Sequence, residues 1–156
     1  MIDEFGFRAN VGIVLINHAG QALLARRIGM SAWQFPQGGI QEGESPIEAM
    51  YRELNEELGL GEDQVKLLGQ TRKWLKYKLP ERFIRKYQMP LCIGQRQLWF
   101  LLELVVADEN INLLSFSEPE FDTWRWVPYW EPISKVIDFK RDVYQQALEE
   151  LAILVP

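Results

Sequence analysis

The stretch that decides the fold is residues 38–60, which read GGIQEGESPIEAMYRELNEELGL. Ser45 is followed three residues later by a glutamate, which is the spacing of a capping box, in which each side chain bonds the other residue's backbone N–H. Pro46 falls at the first helical position, where its missing N–H is not needed. Gly59 is placed to end the helix in the left-handed conformation. The stretch therefore predicts a helix over residues 46–58.

Three glutamates of this helix, Glu53, Glu56 and Glu57, fall within about 100° of one another around its axis. Like charges at these spacings destabilise a helix by a few tenths of a kcal/mol per pair, and only Arg52, which can reach Glu56, offsets them locally. A divalent cation would offset them more strongly, and oxygen ligands alone select Mg²⁺, Mn²⁺ or Ca²⁺. The alternative is a solvated polar face. The glutamates border the apolar stripe that we expect to face the core, which consists of Ile47, Tyr51, Leu54 and Leu58.

Length and composition predict one globular domain over residues 1–156, since 47% of the residues are apolar and 25% are charged. No apolar run approaches the roughly 18 residues of a membrane helix, and the N-terminus does not resemble a secretory signal. Cys92 is the only cysteine, so an intrachain disulfide is excluded, and with one histidine so is the usual zinc site. We therefore expect a cytoplasmic protein that does not bind membranes.

The charges are segregated along the chain. Residues 42–63 hold eight acids and one base, a net charge of −7, whereas residues 72–86 hold seven bases and one acid, a net charge of +6. Two solvated faces would explain this pattern, but so would a cation site beside a site for a polyanion.

The rest of the chain predicts a mixed β-sheet with helices packed on it. Asp138 is the expected N-cap of a final helix over residues 139–154, whose core face would carry Val143, Ala147, Leu151 and Leu154. Residues 80–97 contain two prolines and several charges and are expected to be irregular. The predicted extended segments are Val11–Asn17 and Gln21–Ile28 as a hairpin, then Ser31–Ile40, Val65–Leu79, Leu98–Val106 and Thr123–Val127.

The first motif resembles the Nudix box: glycine, five residues, Glu, seven residues, Arg-Glu-aliphatic, one residue, Glu-Glu, one residue, Gly-aliphatic. The resemblance implies an α/β/α sandwich with a core at about residues 6–149, in which a loop–helix–loop binds Mg²⁺ or Mn²⁺ and phosphoanhydrides are hydrolysed. The match has no departure and comprises Gly38, Glu44, Arg52, Glu53, Leu54, Glu56, Glu57, Gly59 and Leu60.

Roles in this site follow from the same resemblance. Glu53 and Glu57 would be the principal metal ligands, Glu56 would share the ligation, and one of the three would act as general base. Arg52 would orient a glutamate of the box. A further ligand would come from Gly38, Glu120 would be either an extra metal ligand or a base from outside the box, and we expect more than one ion when substrate is bound.

A second motif, Trp33-Gln-Phe-Pro-Gln-Gly-Gly39, resembles the bacterial RNA pyrophosphohydrolases and the related dinucleoside polyphosphate hydrolases. Similar segments continue in the same order along nearly the whole chain. The resemblance implies removal of pyrophosphate from 5′-triphosphate RNA, which initiates mRNA decay. The alternatives are a diadenosine polyphosphate hydrolase and a non-catalytic Nudix-fold module that binds nucleotides or RNA.

The same resemblance implies the substrate contacts. Arg8 and Tyr77 would contact the triphosphate, and Arg27, Phe139 and Lys140 would form a pocket for a base near the RNA 5′ end. If residues 72–79 form a strand, Lys73 lies on the same face as Tyr77 and would also contact the substrate. We expect a monomer whose partner is RNA rather than DNA, with dinucleoside polyphosphates as possible further substrates.

Overall fold

The fold is a mixed β-sheet with helices on both faces. The computed structural model describes residues 1–156, and none of its helices has the length and apolar character needed to cross a membrane. The helices are α1 (Pro46–Leu58), α2 (Pro132–Lys135) and α3 (Arg141–Leu151). The strands are β1 (Phe7–Ile16), β2 (Ala22–Arg27), β3 (Trp33–Gln34), β4 (Gln37–Gly39), β5 (Val65–Gln70), β6 (Leu75–Lys78), β7 (Gly94–Leu104) and β8 (Phe121–Val127).

Strand β1 lies in the middle of the sheet because its sequence is apolar on both sides. Val11, Ile13 and Leu15 belong to the core that packs against α1, whereas Val14 and Ile16 belong to the core that packs against α3. Successive residues of a strand point to opposite faces of the sheet, so this one strand joins both cores. The expected α/β/α arrangement is confirmed.

The sheet has the order β3-β2-β1-β7-β5, with β4 beside β1, β6 beside β7 and β8 beside β2. Strands β1 and β7 run parallel, from Phe7 opposite Gly94 to Ile16 opposite Glu103. The expected hairpin is present, since β1 and β2 pair antiparallel where Ile16 faces Ala22. Strand β2 nevertheless pairs more extensively with β8.

The ends of α1 are those that the sequence predicts. The Ser45 hydroxyl accepts the Glu48 N–H at 3.2 Å, and the Glu48 carboxylate accepts the Ser45 N–H at 2.9 Å. Gly59 follows the helix at φ +69°, and its N–H donates to the Asn55 carbonyl at 3.0 Å. A Cβ at Gly59 would lie only 2.8 Å from the backbone oxygen of Asn112, so this position requires glycine for space as well as conformation.

The buried face of α1 is rotated from the predicted one. Ile47, which the sequence places in the core, is 39% exposed, and Tyr51 is only half-buried. The buried arc is instead centred between Met50 and Glu57, about 80° around the helix from the prediction. The prediction is confirmed for Leu54 and Leu58, which are fully buried, and wrong for Ile47 and Tyr51, because it placed the glutamates at the border of the core face and not within it. The buried residues of α1 are Ala49, Met50, Glu53, Leu54, Glu57 and Leu58.

Strand β7 begins at Gly94, four residues before the predicted start at Leu98. The first residues of the strand are polar, and the sequence predicted them to be irregular. Gln95 and Gln97 nevertheless pair with both β1 and β6. These residues are polar because their side chains face the cavity and the buried amide network described below, not because the backbone is a loop.

The final helix is shorter than the predicted residues 139–154. It begins at Arg141, after a 3₁₀ turn that starts at Asp138, and the Asp138 side chain makes no capping hydrogen bond. The turn directs Lys140 into the interior, where it is buried. Leu154 lies beyond the helix and is 40% exposed. The other residues of the predicted core face are buried: Val143, Ala147 and Leu151.

Candidate active site

Two carboxylates of α1 are buried where this helix packs against β4. Glu53 is 8% exposed and Glu57 is 5% exposed. Gly38 of β4 makes the packing possible, because a Cβ at this position would overlap the Glu53 carboxyl group. The neighbouring Gly39 has no such constraint, since the nearest atom to a Cβ there would be the Arg8 Cδ at 3.9 Å.

Arg52 fixes the loop before α1 to the helix itself. Its guanidinium donates from Nε to Glu44 at 2.7 Å, from Nη1 to Glu53 at 2.8 Å and from Nη2 to the Gly39 carbonyl at 2.7 Å. The expected contact with Glu56 is present at 3.3 Å. Hydrogen bonding to Glu44 raises the pKa of Arg52, and the same bonds lower the pKa of Glu44. Because a guanidinium donates several hydrogen bonds in one plane, Arg52 can orient these groups together.

Burial controls the protonation of the two inner carboxylates. Removal from water raises the pKa of Glu53, although its hydrogen bond to Arg52 opposes the shift. Burial raises the pKa of Glu57 well above its ordinary value, and the negative charges of Glu53 and Glu120 raise it further. A hydrogen bond from the Gln37 backbone N–H is too weak to cancel this effect. A nearby cation would restore the charged form of both carboxylates.

The residues that the sequence predicts as metal ligands are brought together only in part. The Oε2 atom of Glu57 is buried and has no hydrogen-bond partner, so it is free to bind a ligand. Glu56 is half-buried and contacts Arg52, and Glu120 is exposed. No three acidic, histidine or cysteine side chains form a ready-made metal group. An ion of the Mg²⁺ type keeps several waters and binds phosphate oxygens, so the two buried carboxylates fit its needs.

A cavity of about 360 Å³ lies on the α3 side of the sheet, the face opposite to the one on which α1 packs. Its wall carries four cationic side chains and no acidic one, so the cavity suits a polyanion. The lining includes five of the six residues predicted to bind substrate: Arg8, Arg27, Tyr77, Phe139 and Lys140. The fourth cation, Arg85, was missed because it lies in the segment expected to be irregular.

Aromatic and cationic side chains are interleaved in this cavity. The Tyr77 and Phe139 rings lie 5.7 Å apart, and the Lys140 Nζ lies 5.8 Å from the Tyr77 ring centre. Burial, together with the charge of Arg27, lowers the pKa of Lys140 to about 8. Burial raises the pKa of Tyr77 to about 12, so its hydroxyl keeps its proton. Such an arrangement can hold both a stacked base and phosphate groups.

Lys73 is the one predicted substrate residue that does not reach the cavity. It lines a separate groove with Gln70 and Glu150. The prediction assumed that a strand covers residues 72–79, but β6 begins only at Leu75. Lys73 therefore lies in the preceding turn, where the alternation of a strand does not apply.

Gln37 joins the carboxylates to the cavity, a role that sequence analysis missed. Its backbone N–H lowers the pKa of Glu57, against the larger effect of burial, while its side chain lines the cavity. The Gln37 Oε1 accepts Nε2 of Gln97 at 3.0 Å, and the same nitrogen donates to Asn10 at 2.8 Å. The Oε1 of Gln95, another residue of the cavity wall, is buried without a partner. The sequence feature that could have indicated this network is the pair Gln95 and Gln97, which lie two residues apart just before the apolar part of β7.

Comparison with known proteins agrees with this geometry. The family model described as NUDIX domain matches residues 6–147. The chain is 59% identical over 152 residues to the RNA pyrophosphohydrolase of Ectopseudomonas mendocina, covering 97% of this chain and 96% of that protein. It is 57% identical over 155 residues to the RNA pyrophosphohydrolase of Photorhabdus laumondii, covering 99% and 88%.

Solved structures share the fold at low sequence identity. The Escherichia coli dihydroneopterin triphosphate pyrophosphohydrolase aligns with a TM-score of 0.67 and 17% identity, over 92% of this chain and 98% of that one. A Caenorhabditis elegans Ap4A hydrolase aligns with a TM-score of 0.68 and 19% identity, over 93% and 98%. These similarities establish the architecture and leave the substrate to other arguments.

The two adjacent glycines of β4 give a matched test of the site. We expect Gly38→Ala to displace the Glu53 carboxyl group and to lower kcat by at least about 10²-fold, the scale for one electrostatic group in a site. Gly39→Ala adds the same methyl group where the nearest atom is 3.9 Å away and nothing has to move, and it should stay within about threefold of wild type by the same scale. Steady-state rates of the two variants would check this, and equal losses would contradict the proposed contact.

Proposed function

The chain belongs to the NUDIX family, and we propose that it hydrolyses the 5′-triphosphate end of RNA to a 5′-monophosphate and pyrophosphate. The observation that carries this proposal is the cavity with four cations and no acid, which Gln37 of β4 lines, in a fold that also buries two carboxylates of the box helix against β4. The names of relatives that are 57–59% identical over nearly the whole chain support RNA as the substrate. Because a 5′-triphosphate marks the start of a transcript, we propose that the reaction initiates RNA decay in the cytoplasm.

Divalent metal ions are general in this family. We propose that Glu53 and Glu57 hold Mg²⁺ or Mn²⁺, with Glu56, Glu120 and the Gly38 carbonyl as further ligands, and that more than one ion is present with substrate. When bound, such ions neutralise phosphate charge and make a bound water more acidic. The buried, unpartnered Oε2 of Glu57 supports this assignment.

The side chains of the protein have separate tasks in the reaction. One of the three box glutamates takes the proton of the attacking water, and Arg52 keeps Glu53 and Glu56 in place. Arg8 and Tyr77 bind the triphosphate through the guanidinium and the protonated hydroxyl.

Recognition of the RNA lies next to these phosphate contacts. Arg27 and Lys140 hold the RNA near its 5′ end, and Phe139 stacks on a base. Gln37 links the two parts of the site, because its side chain lines the cavity and its backbone N–H acts on Glu57.

A second candidate is the hydrolysis of diadenosine polyphosphates. The observation that favours it is the same cavity, since its aromatic and cationic groups would also accept an adenosine joined to several phosphates. The third candidate is a binding module without activity. The presence of every acidic residue of the box argues against it.

The decisive experiment is a competition with Mg²⁺ between 5′-triphosphate RNA and diadenosine tetraphosphate, with the products separated. We expect a higher kcat/KM for the RNA and release of pyrophosphate. A strong preference for the dinucleotide would make the second candidate the main activity. Absence of turnover on both substrates would favour the binding module.

Phe139 separates recognition from chemistry. Phe139→Ala removes a stacking surface worth about 1–3 kcal/mol per base, so kcat/KM for triphosphate RNA should fall roughly ten- to a hundredfold. Hydrolysis of a free nucleoside triphosphate should change much less because the carboxylates are untouched. The exposed Phe5 lies outside the cavity, so Phe5→Ala is the control. Equal losses on both substrates, with a lower melting temperature, would show that Phe139 only supports the fold.

Lys140 predicts how RNA binding depends on pH. Its pKa of about 8 means that the ammonium loses its proton as the pH rises through that value. The KM for triphosphate RNA should therefore rise by up to about tenfold between pH 7 and pH 9, since the charge is lost one decade per pH unit above the pKa. Arginine stays charged in this range, so Lys140→Arg should give a KM that changes little with pH. The same pH dependence in both proteins would assign it to another group.

A further inference from the structure

The connection between β6 and β7, residues 79–93, borders the mouth of the cavity. Phe83 of this connection lines the cavity, and its ring centre lies 5.7 Å from that of Phe139. Leu79, Arg85 and Gln88 belong to the same wall. The connection is therefore held against the proposed base pocket by an aromatic contact and does not extend away from it.

Two cations of this connection have no carboxylate partner. Lys86 is paired with Glu81 at 2.8 Å, so those two charges balance each other. Arg82 and Arg85 are exposed and take part in no ion pair. The Arg82 guanidinium lies 4.8 Å from the Phe83 ring centre, outside the cavity lining, whereas Arg85 is within it. Positive charge therefore continues from the cavity onto the outer surface.

The size of the cavity shows why this surface matters. A volume of about 360 Å³ is at the small end of ligand pockets, which range over about 300–1,000 Å³, so only the first part of an RNA can be enclosed. The rest of the strand has to leave through the mouth. Beyond the two arginines, Tyr87 is 81% exposed and offers an aromatic face on the same connection. Cations beside exposed aromatic rings are the surface to which single-stranded RNA binds.

We propose that residues 79–93 bind the RNA strand downstream of the nucleotides held in the cavity. Arg82 and Arg85 contact backbone phosphates, and Tyr87 stacks on a base that has left the cavity. This inference rests on the proposed function, because it extends the substrate of that same site from a 5′ end to a longer single strand. It predicts that RNA length beyond the first nucleotides contributes to affinity.

The test compares two RNAs with the same 5′ end, a triphosphorylated dinucleotide and a triphosphorylated single-stranded octanucleotide. Binding is measured by fluorescence anisotropy without metal, so that no turnover is needed. The wild-type protein should bind the octanucleotide more tightly. In the double variant Arg82→Gln, Tyr87→Ala, in which neither altered residue lines the cavity, this advantage should fall roughly tenfold or more, the scale for one stacked base together with one exposed charge contact. The salt dependence for the octanucleotide should weaken by about one unit of slope for the one arginine removed.

The matched control removes two exposed cations elsewhere, in the double variant Lys66→Gln, Arg72→Gln. Neither residue lines the cavity, so its length preference should equal that of wild type. The inference is overturned if wild type binds both RNAs equally, if the Arg82→Gln, Tyr87→Ala variant weakens both equally, or if the control loses the preference as well. Turnover of the octanucleotide with Mg²⁺ is measured separately: its absence would contradict the proposed function, and the binding result would still decide the inference.

Discussion

The burial of two glutamate carboxylates between α1 and β4 is the constraint on which the rest of the site depends. Moving a carboxylate out of water is costly unless a positive charge or hydrogen bonds replace the water. Arg52 supplies part of this for Glu53, but an oxygen of Glu57 has no partner at all. Accordingly the pKa of both carboxyls is raised, most of all that of Glu57. A cation bound between Glu53 and Glu57 would therefore lower their pKa values and keep both carboxylates charged.

The sheet separates these two carboxylates from the cavity, and strand β4 contributes to both sides. The box helix packs on one face and the cavity lies on the other, next to the start of α3. Strand β4 is only three residues long, but Gln37 at its start contacts both sides. Gln97 and Asn10 hold the Gln37 side chain from β7 and β1, the two strands at the centre of the fold. The core of the fold therefore fixes the position of the Gln37 side chain in the cavity wall.

The sequence predicts those features that are determined locally. The capping box at Ser45 and the left-handed Gly59 are set by residues within a few positions of each other, and α1 has the predicted bounds. Features that depend on distant partners were predicted less well. The buried face of α1 was misplaced because Glu53 and Glu57 occupy interior positions, and Lys73 was assigned to the cavity on a strand alternation that starts only at Leu75.

Three further residues in and around the cavity were missed for a related reason. Gln37, Gln97 and Arg85 are ordinary polar residues in sequence, and their importance comes from what packs against them. Arg8, Arg27 and Phe139 were found through a family resemblance, since nothing in their spacing indicates that three distant segments share one cavity.

The central claim, that the buried carboxylates form a cation site, is tested most directly by thermal unfolding with and without Mg²⁺ in wild type, Glu57→Gln and Glu149→Gln. An ion at a hundred times its Kd should raise the wild-type Tm by roughly 5–10 °C. The exposed Glu149 lies on α3, so its variant should respond as wild type does. Glu57→Gln should lose the response while its Tm without metal is no lower than that of wild type, because the buried charge is gone. A wild-type Tm that ignores Mg²⁺ and Mn²⁺, or an equal response in Glu57→Gln, would contradict the account.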